Sequence, residues 1–510
     1  MKEKIWDKLS IMIIIITMVV LSYLAVNTQP TIVGECQSYV LSTASLINSH
    51  SIVITKDDVD FASKIFPNYA DYIQEVYSWR LPQIDSEHFL PYYGFYYSLC
   101  CIPMVGILRL LGCNASYAFC LTNVLFVGIS LIYTYVKLKA DRKSIFEIEL
   151  LLATSPVWLY YFWPSAEIFI FSMLVISTVS LLNGKYKSAG LFCSIAGGLN
   201  ITVMAFGFII VIDYLRSLYV KEKETNFYKH TLAVLKNNWK DILITACCFI
   251  PCFEMYIEKI VYNKQEFTPP ANVFDFYTDR LITYIMDLNL GFWGWMPLLV
   301  VLFVLAVILV IVNKKWRLTS IAIGFSLTIC AYALMDHINC GMTGIARYNA
   351  WSSSLLIIFI VLALEETING KMGKQVICVI LIMSGISTAF LGGYYKKTTG
   401  MNYLELTPQA KFVLDHSPEL YNPYPATFIS RTMHIDGAYD YTIPAYYADS
   451  QGYVRKLLVN HTTLDYFMER LSGDPIVVDE IKEDLLNMDY TNGPIYYNIG
   501  KNEGVIIKDE

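Results

Sequence analysis

Charge is scarce in this chain. Of 510 residues only 16% are Asp, Glu, Lys or Arg, 55% are apolar, and the mean hydropathy is +0.44. Such a chain cannot cover a water-facing surface with polar groups, which excludes disorder and an ordinary soluble globular fold. A basic excess is missing as well: the net charge is −6, and no Lys/Arg-rich footprint for a nucleic acid is present. Metal-ligand spacing is also absent. The 12 cysteines all precede residue 379, none forms a CxxC pair, and no HExxH occurs. Cys247, Cys248 and Cys252 sit in an apolar run where buried thiols are expected, so neither a disulfide framework nor a zinc site is indicated. There is no internal repeat and no low-complexity stretch.

What the chain does have is long apolar runs. Leu9 to Val26 is uncharged, follows Lys2, Lys4 and Lys8, and ends without a small-residue cleavage signal. It is long enough to cross a hydrocarbon layer, which takes roughly 17–25 residues, and predicts an uncleaved first helix with a cytoplasmic N-terminus. Ten further runs lie near 115–136, 146–163, 167–183, 187–200, 202–217, 242–258, 295–312, 318–335, 349–364 and 376–393. The expected fold is therefore an all-α polytopic membrane protein with about eleven transmembrane helices. Basic residues mark alternate connections, at Lys137–Lys143, Lys185 and Lys187, Arg216–Lys223, Lys314–Arg317, and Lys371 and Lys374. Threading eleven spans puts all of them on the cytoplasmic side, as the positive-inside bias requires.

Phe95 to Leu111 is apolar, but it contains Arg109, and counting it as a span would move Lys137–Lys143 outside. It is read as a helix in the outer interface, which leaves a first outer loop of about 27–114, long enough to be functional. From Tyr394 to Glu510 the composition changes to 10 Lys+Arg against 17 Asp+Glu, with 14 tyrosines and no cysteine. Turn signals at Ser472–Pro475 and Thr491–Pro494, with strand-like runs at Pro475–Val478 and Gly504–Ile507, predict a small α/β extracytoplasmic domain over 394–510.

Four groups of residues carry chemistry. Gly34-Glu35-Cys36 follows the first helix, where a partly desolvated Glu35 carboxylate could accept a proton from a hydroxyl, or could simply serve the start of the next helix. Asp57, Asp58 and Asp60 offer oxygen ligands to a divalent cation, although solvated loop carboxylates have the same pattern; no metal or cofactor is indicated. Ser155 to Glu167 forms an aromatic outer turn ending in an ionisable residue at a span entrance. Asp336 to Tyr348 supplies His337 and, on a side where positive charge is rare, the Arg347 fork suited to a phosphate oxygen pair.

The order of these motifs resembles bacterial membrane glycosyltransferases of the GT-C superfamily, whose relatives include protein O-mannosyltransferases and lipid A aminoarabinose transferases. The resemblance covers roughly residues 1–393, and the order and shared sidedness of the motifs carry it. It implies a GT-C-like bundle and inverting transfer, on the outer face of the cell membrane, from a polyprenyl-phosphate-linked sugar to a glycan, lipid or protein acceptor. It also implies Glu35 and Glu167 as the catalytic acids, Arg347 and Tyr348 at the donor phosphate, and Tyr39, Tyr93 and His337 in the substrate pocket. Members commonly have Gly-Asp-Glu where this chain has Gly34-Glu35-Cys36, and a His-Gly pair where it has Tyr93-Gly94. Where proline and the acid are usually adjacent, Ser165-Ala166 intervene before Glu167. The competing expectations are a transporter or flippase for a lipid-linked sugar, which would place broken helices and charge near the midplane, and a polysaccharide polymerase or ligase.

Overall fold

The computed structural model describes residues 2–32, 34–221, 227–254, 257, 277–335, 338, 343–436, 441–491, 493–500 and 503–508. The chain divides into two units, one of residues 1–271, 298–332 and 350–389, the other of 272–297, 333–349 and 390–510.

The first unit is a helical bundle. It begins with α1 (Lys2–Asn27), α2 (Cys36–Asn48), α3 (Lys56–Ile65), α4 (Ala70–Arg80) and α5 (Tyr96–Leu110). There follow α6 (Ala118–Lys137), α7 (Arg142–Thr154), α8 (Glu167–Leu182), α9 (Tyr186–Leu199), α10 (Met204–Lys221) and α11 (Phe227–Cys247). Helix α1 packs on α6 and α7, while α8 lies between α6 and α9. Apolar on all sides, α8 is buried from Glu167 to Leu181, the pattern of a central helix rather than a two-faced surface one. Conversely, α1 leaves Ile11, Met12, Ile15, Ile16, Val19 and Val20 exposed. Water would not tolerate that stripe, and hydrocarbon would, because a helix already satisfies its own backbone polar groups.

Among the described residues six helices are long and apolar enough to span a membrane: Glu3–Asn27, Ala115–Lys137, Ile201–Val220, Trp316–Ala333, Arg347–Thr367 and Lys371–Thr399. Three shorter apolar helices, Tyr96–Leu110, Glu167–Leu182 and Pro297–Val312, accompany them. The run read as a span over 146–163 is helical only to Thr154, after which Pro156 opens a tight turn over Pro156–Tyr160. A residue before proline is steered out of the helical region, and Ser155 is extended at ψ 153°.

The first long connection is itself folded. Strands β1 (Ile54–Thr55) and β2 (His88–Phe89) pair antiparallel, and α2 packs against α3, α4 and α5. Of the Asp57–Asp60 cluster, Asp58 is fully buried and turned inward as a helix cap. Its carboxylate accepts from Asn48, Ser49 and both the amide and hydroxyl of Thr55, while the Thr55 hydroxyl accepts from the Asp58 amide. This reciprocal box satisfies orphan donors at the start of α3. Burial raises the Asp58 carboxyl, but those hydrogen bonds outweigh it and hold its pKa below the usual carboxylate value.

In the second unit, a three-stranded antiparallel sheet runs in the order β3 (Ala445–Ala448), β4 (Val454–Val459), β6 (Ile495–Asn498), beside the short pair β5 (Leu471–Ser472) and β7 (Ile506–Ile507). β4 is buried along its whole length, with Leu457 and Val459 in one apolar cluster and Leu458 in another. The strand-like reading of Pro475–Val478 is corrected: Pro475–Asn487 is a helix. Asp474 caps it by accepting from the Ile476 amide, and Pro475 takes the first helical position, where its missing N–H costs nothing.

Replacing Asp58 by Ala should destabilise the α2–α3 region by about 1–2 kcal/mol. Because the folded-state pKa is depressed, the Asp58 contribution is present above the unfolded carboxylate range and is lost as pH falls through the folded value. Hydrogen exchange of α2–α3 peptides in the full chain should therefore separate wild type from Asp58→Ala at pH 7 and converge in acid; equal protection at pH 7 would rule the cap out.

Candidate functional site

Gly34 adopts the left-handed conformation at φ 64°, turning the chain from the end of α1 into α2. The turn is packed against the second aromatic segment. The Thr31 amide donates to the Phe162 carbonyl at 3.1 Å, Tyr72 donates to the Gly34 carbonyl at 2.9 Å, and the Trp163 ring lies 3.6 Å from where a Cβ on Gly34 would sit. Asn123 from α6 holds that segment by donating to the Trp163 carbonyl at 3.1 Å. The structure thus brings the Glu35 and Glu167 segments together, although 132 positions separate the two acids in the chain.

The two acids sit in different environments. Glu35 is half-buried at the entrance to α2, where its side chain does not cap the helix. Glu167 is 3% exposed at the first position of α8, where the helix macrodipole favours an anion. Its Oε2 accepts a hydrogen bond from the indole N–H of Trp351, and its Oε1 accepts from the Ser165 hydroxyl at 3.3 Å. Trp351 is itself buried, edge-on to Tyr332 with centroids 6.2 Å apart. Trp351 went unnoticed in the sequence because a tryptophan inside an apolar run looks like packing; its 184-residue separation from Glu167 leaves no local signal.

Tyr39, one turn beyond Glu35 on α2, stacks on Tyr93 with centroids 5.4 Å apart and planes inclined by 11°, and meets Tyr97 edge-on at 5.3 Å. The Tyr92 amide donates to the Ser38 hydroxyl at 2.8 Å, fixing the aromatic loop to α2. Beside Tyr93, Gly94 permits a close approach: a Cβ there would lie 2.8 Å from both the Gly198 carbonyl and a Glu254 carboxylate oxygen. Glu254 therefore joins this end of the unit.

The second unit contains Arg347 and Tyr348. Arg347, 6% exposed, is the first residue of the helix Arg347–Thr367, and its guanidinium lies 5.4 Å from the Tyr348 ring centroid. The preceding segment is clamped to a neighbouring loop. The Ala346 amide donates to the Leu290 carbonyl at 3.1 Å, and Asn349 donates to the carbonyls of Tyr284 at 2.7 Å and Leu290 at 3.0 Å. That loop is in turn built on buried Asp287, which accepts from the Asn289 and Leu290 amides and from the Tyr421 hydroxyl. A guanidinium beside the N-terminal turn of a helix makes a local concentration of positive charge suited to an anion. His337, expected in the substrate pocket, lies outside the described residues.

No protein-family model matches this chain, and no curated protein matches it. Two solved structures do. One is ArnT from Cupriavidus metallidurans bound to undecaprenyl phosphate, at 11% identity and a TM-score of 0.40, covering 72% of this chain and 62% of that one. The other is ArnT from the same organism in the apo state, at 10% identity with the same TM-score and coverage. This chain therefore spans less than two thirds of the ArnT length.

Two measurements probe this geometry. Gly94→Ala should lower the melting temperature in detergent, because the Gly198 carbonyl is backbone and cannot swing away, whereas Gly106→Ala, in open space on α5, should raise stability by about 0.5–1 kcal/mol. Removing the indole donor with Trp351→Phe should cost about 1.5–3 kcal/mol, and a double-mutant cycle with Glu167→Gln should give clear coupling. Additive effects would show that the two side chains do not depend on each other.

Proposed function

We propose that the chain is a membrane glycosyltransferase that moves a sugar from a polyprenyl-phosphate-linked donor to an envelope acceptor on the outer face, with inversion. The observation that carries this reading is the division of labour between two acids on adjoining segments. Glu35 is half-buried at the turn that follows α1, and Glu167 is buried with both oxygens engaged by donors. Pairs of carboxyl groups set in contrasting environments are how one site separates a proton acceptor from a fixed charge.

In this reading Glu35 takes the proton from the acceptor hydroxyl as its oxygen attacks the anomeric carbon. The bond from that carbon to the phosphate oxygen breaks, and the leaving polyprenyl phosphate carries away the negative charge. A single displacement from the face opposite the leaving group inverts the anomeric centre. Glu167 acts as a positioning residue, holding Trp351 on the same helix that Arg347 opens. Arg347, with the helix N-terminal amides, neutralises charge on the phosphate, and Tyr348 steadies the guanidinium. Tyr93, stacked on the buried Tyr39, offers an aromatic face of the kind that sugars pack against.

A general base contributes about 10²–10⁴-fold, and one well-placed charge donor about 10²–10³-fold. Glu35→Gln and Arg347→Ala should each reduce turnover by such factors in proteoliposomes supplied with a labelled polyprenyl-phosphate sugar and an acceptor, while the detergent-solubilised variants stay folded. Wild-type turnover in both variants would refute the assignment. Movement of the labelled donor across the bilayer without release of polyprenyl phosphate would instead identify a transporter.

A further inference from the structure

Three basic connections of the first unit meet at one cavity of about 360 Å³. Lys139 comes from the α6–α7 connection, Asn183 from the end of α8, and Lys314, Lys315 and Arg317 from the turn after the helix Pro297–Val312; Glu366 completes the wall. Four cations thus face one carboxylate, and that carboxylate is already held by Lys315 at 3.1 Å. Arg317 is fixed in place by donating to the Leu182 carbonyl at 3.0 Å.

Orientation by positive charge alone does not account for this arrangement. The neighbouring cavity of about 370 Å³, which includes Lys185 and Lys187, is neutralised: Lys187 pairs with Asp241 at 2.5 Å, and Tyr214 donates to the same carboxylate at 2.6 Å. In the first cavity, Lys314 adopts the left-handed conformation at φ 53°, the position after a helix C-terminus that glycine normally fills. A lysine takes it at a cost in backbone strain, and sites that keep such strain are commonly binding sites. Asn183 donates to the Lys137 carbonyl at 2.7 Å, which leaves its Oδ1 buried with no hydrogen-bond partner among the described residues. That oxygen calls for a donor on a ligand. Next to the cations, Ile311 and Val312 are 60% and 71% exposed, and the Trp316 indole is half-exposed on the same turn, a combination of apolar surface, interfacial aromatic and basic pocket that suits a lipid.

We propose that this cavity binds a phosphate group, carried by an anionic glycerolipid headgroup. Lys139, Lys314 and Arg317 face the phosphate, Asn183 accepts from a headgroup hydroxyl, and the acyl chains lie along the apolar residues preceding Lys314. Phosphate is the shared chemistry, and lipid and free phosphate are the two sources that an experiment must separate.

The test is native mass spectrometry and thermal unfolding of the full-length protein in detergent, titrated with phosphatidylglycerol, phosphatidylcholine or inorganic phosphate. Phosphatidylglycerol should bind at least about tenfold more tightly than phosphatidylcholine and raise the melting temperature. At about fivefold per cation, the triple variant Lys139→Gln/Lys314→Gln/Arg317→Gln should lose about 100-fold in affinity. The charge-conserving Lys314→Arg/Arg317→Lys and the neighbouring Lys185→Gln/Lys187→Gln should stay within about threefold of wild type, which separates lost binding from misfolding. Equal affinity for the two lipids, or wild-type binding by the triple variant, would overturn the proposal. Tight binding of inorganic phosphate combined with no preference for phosphatidylglycerol would overturn the lipid as its source.

Discussion

A carboxylate buried in an apolar bundle has to find donors or give up its charge. In the first unit that requirement is met where Glu167, at the start of α8, receives the Trp351 indole N–H and the Ser165 hydroxyl. The bond locks one almost fully buried helix of the unit to another that arrives late in the chain. It does so at one register only, because a shift of either helix by a residue would strand the charge. The same rule governs the Lys143–Glu147–Glu365–Lys374 cluster, with Lys143 2.6 Å from Glu365 and 3.1 Å from Glu147, and Lys374 3.5 Å from Glu365. Glu365 and Trp351 share one helix, about 21 Å apart along its axis. That helix is therefore tied by charge near both ends and packs through apolar residues in between. Such ties specify arrangement more than they add stability, since the desolvation cost of a buried ion consumes most of the attraction.

Glu167 and Glu35 therefore differ in depth, one buried at the start of α8 and the other half-buried at a turn. Glu35 owes its position to two features: a left-handed glycine that turns the chain at once after the first helix, and the aromatic segment against which that turn rests. The stacked pair of Tyr39 and Tyr93 extends the same surface from α2 to the loop before α5. At Gly94 the backbone passes so close to Gly198 that a side chain is excluded. One end of the unit is thus built from acids, aromatics and close backbone contacts, whereas the cavity at the basic connections is built from lysines, an arginine and an exposed indole. The two assemblies differ in charge as well as in make-up, acidic and aromatic in the first case and basic in the second.

Much of this was legible in the residues themselves. Long uncharged runs, interrupted by clusters of lysine and arginine, already pointed to helices in a hydrocarbon setting, because runs of that length match a spanning helix, which satisfies its own backbone. The segments around Glu35, Glu167 and Arg347 stood out because charge is so rare among their neighbours. Less was readable where two physical signals overlap. Pro-Ile-Val-Val at 475–478 has strand composition, yet Asp474 and Pro475 form a helix start, and local capping prevailed over side-chain preference. The aspartates at 57–60 look like a solvated or cation-binding cluster, yet Asp58 is turned inward as a cap. The apolar run over 146–163 is broken by a proline whose effect outweighs its hydropathy.

Composition and pattern by themselves determined that this is a membrane-embedded helical chain with a distinct acidic tail, because burial in hydrocarbon is a property of each run taken alone. They also marked which few ionisable residues were worth attention. Which acid is buried against the Trp351 indole and which lies half-buried at a turn was decided only by tertiary structure, as was the meeting of Tyr39 with Tyr93 and the gathering of basic connections around one cavity. Each of those outcomes depends on donors and neighbours supplied from distant parts of the chain. A hydrogen bond or an ion pair acts over a few ångströms of space and carries no trace of the sequence distance it closes.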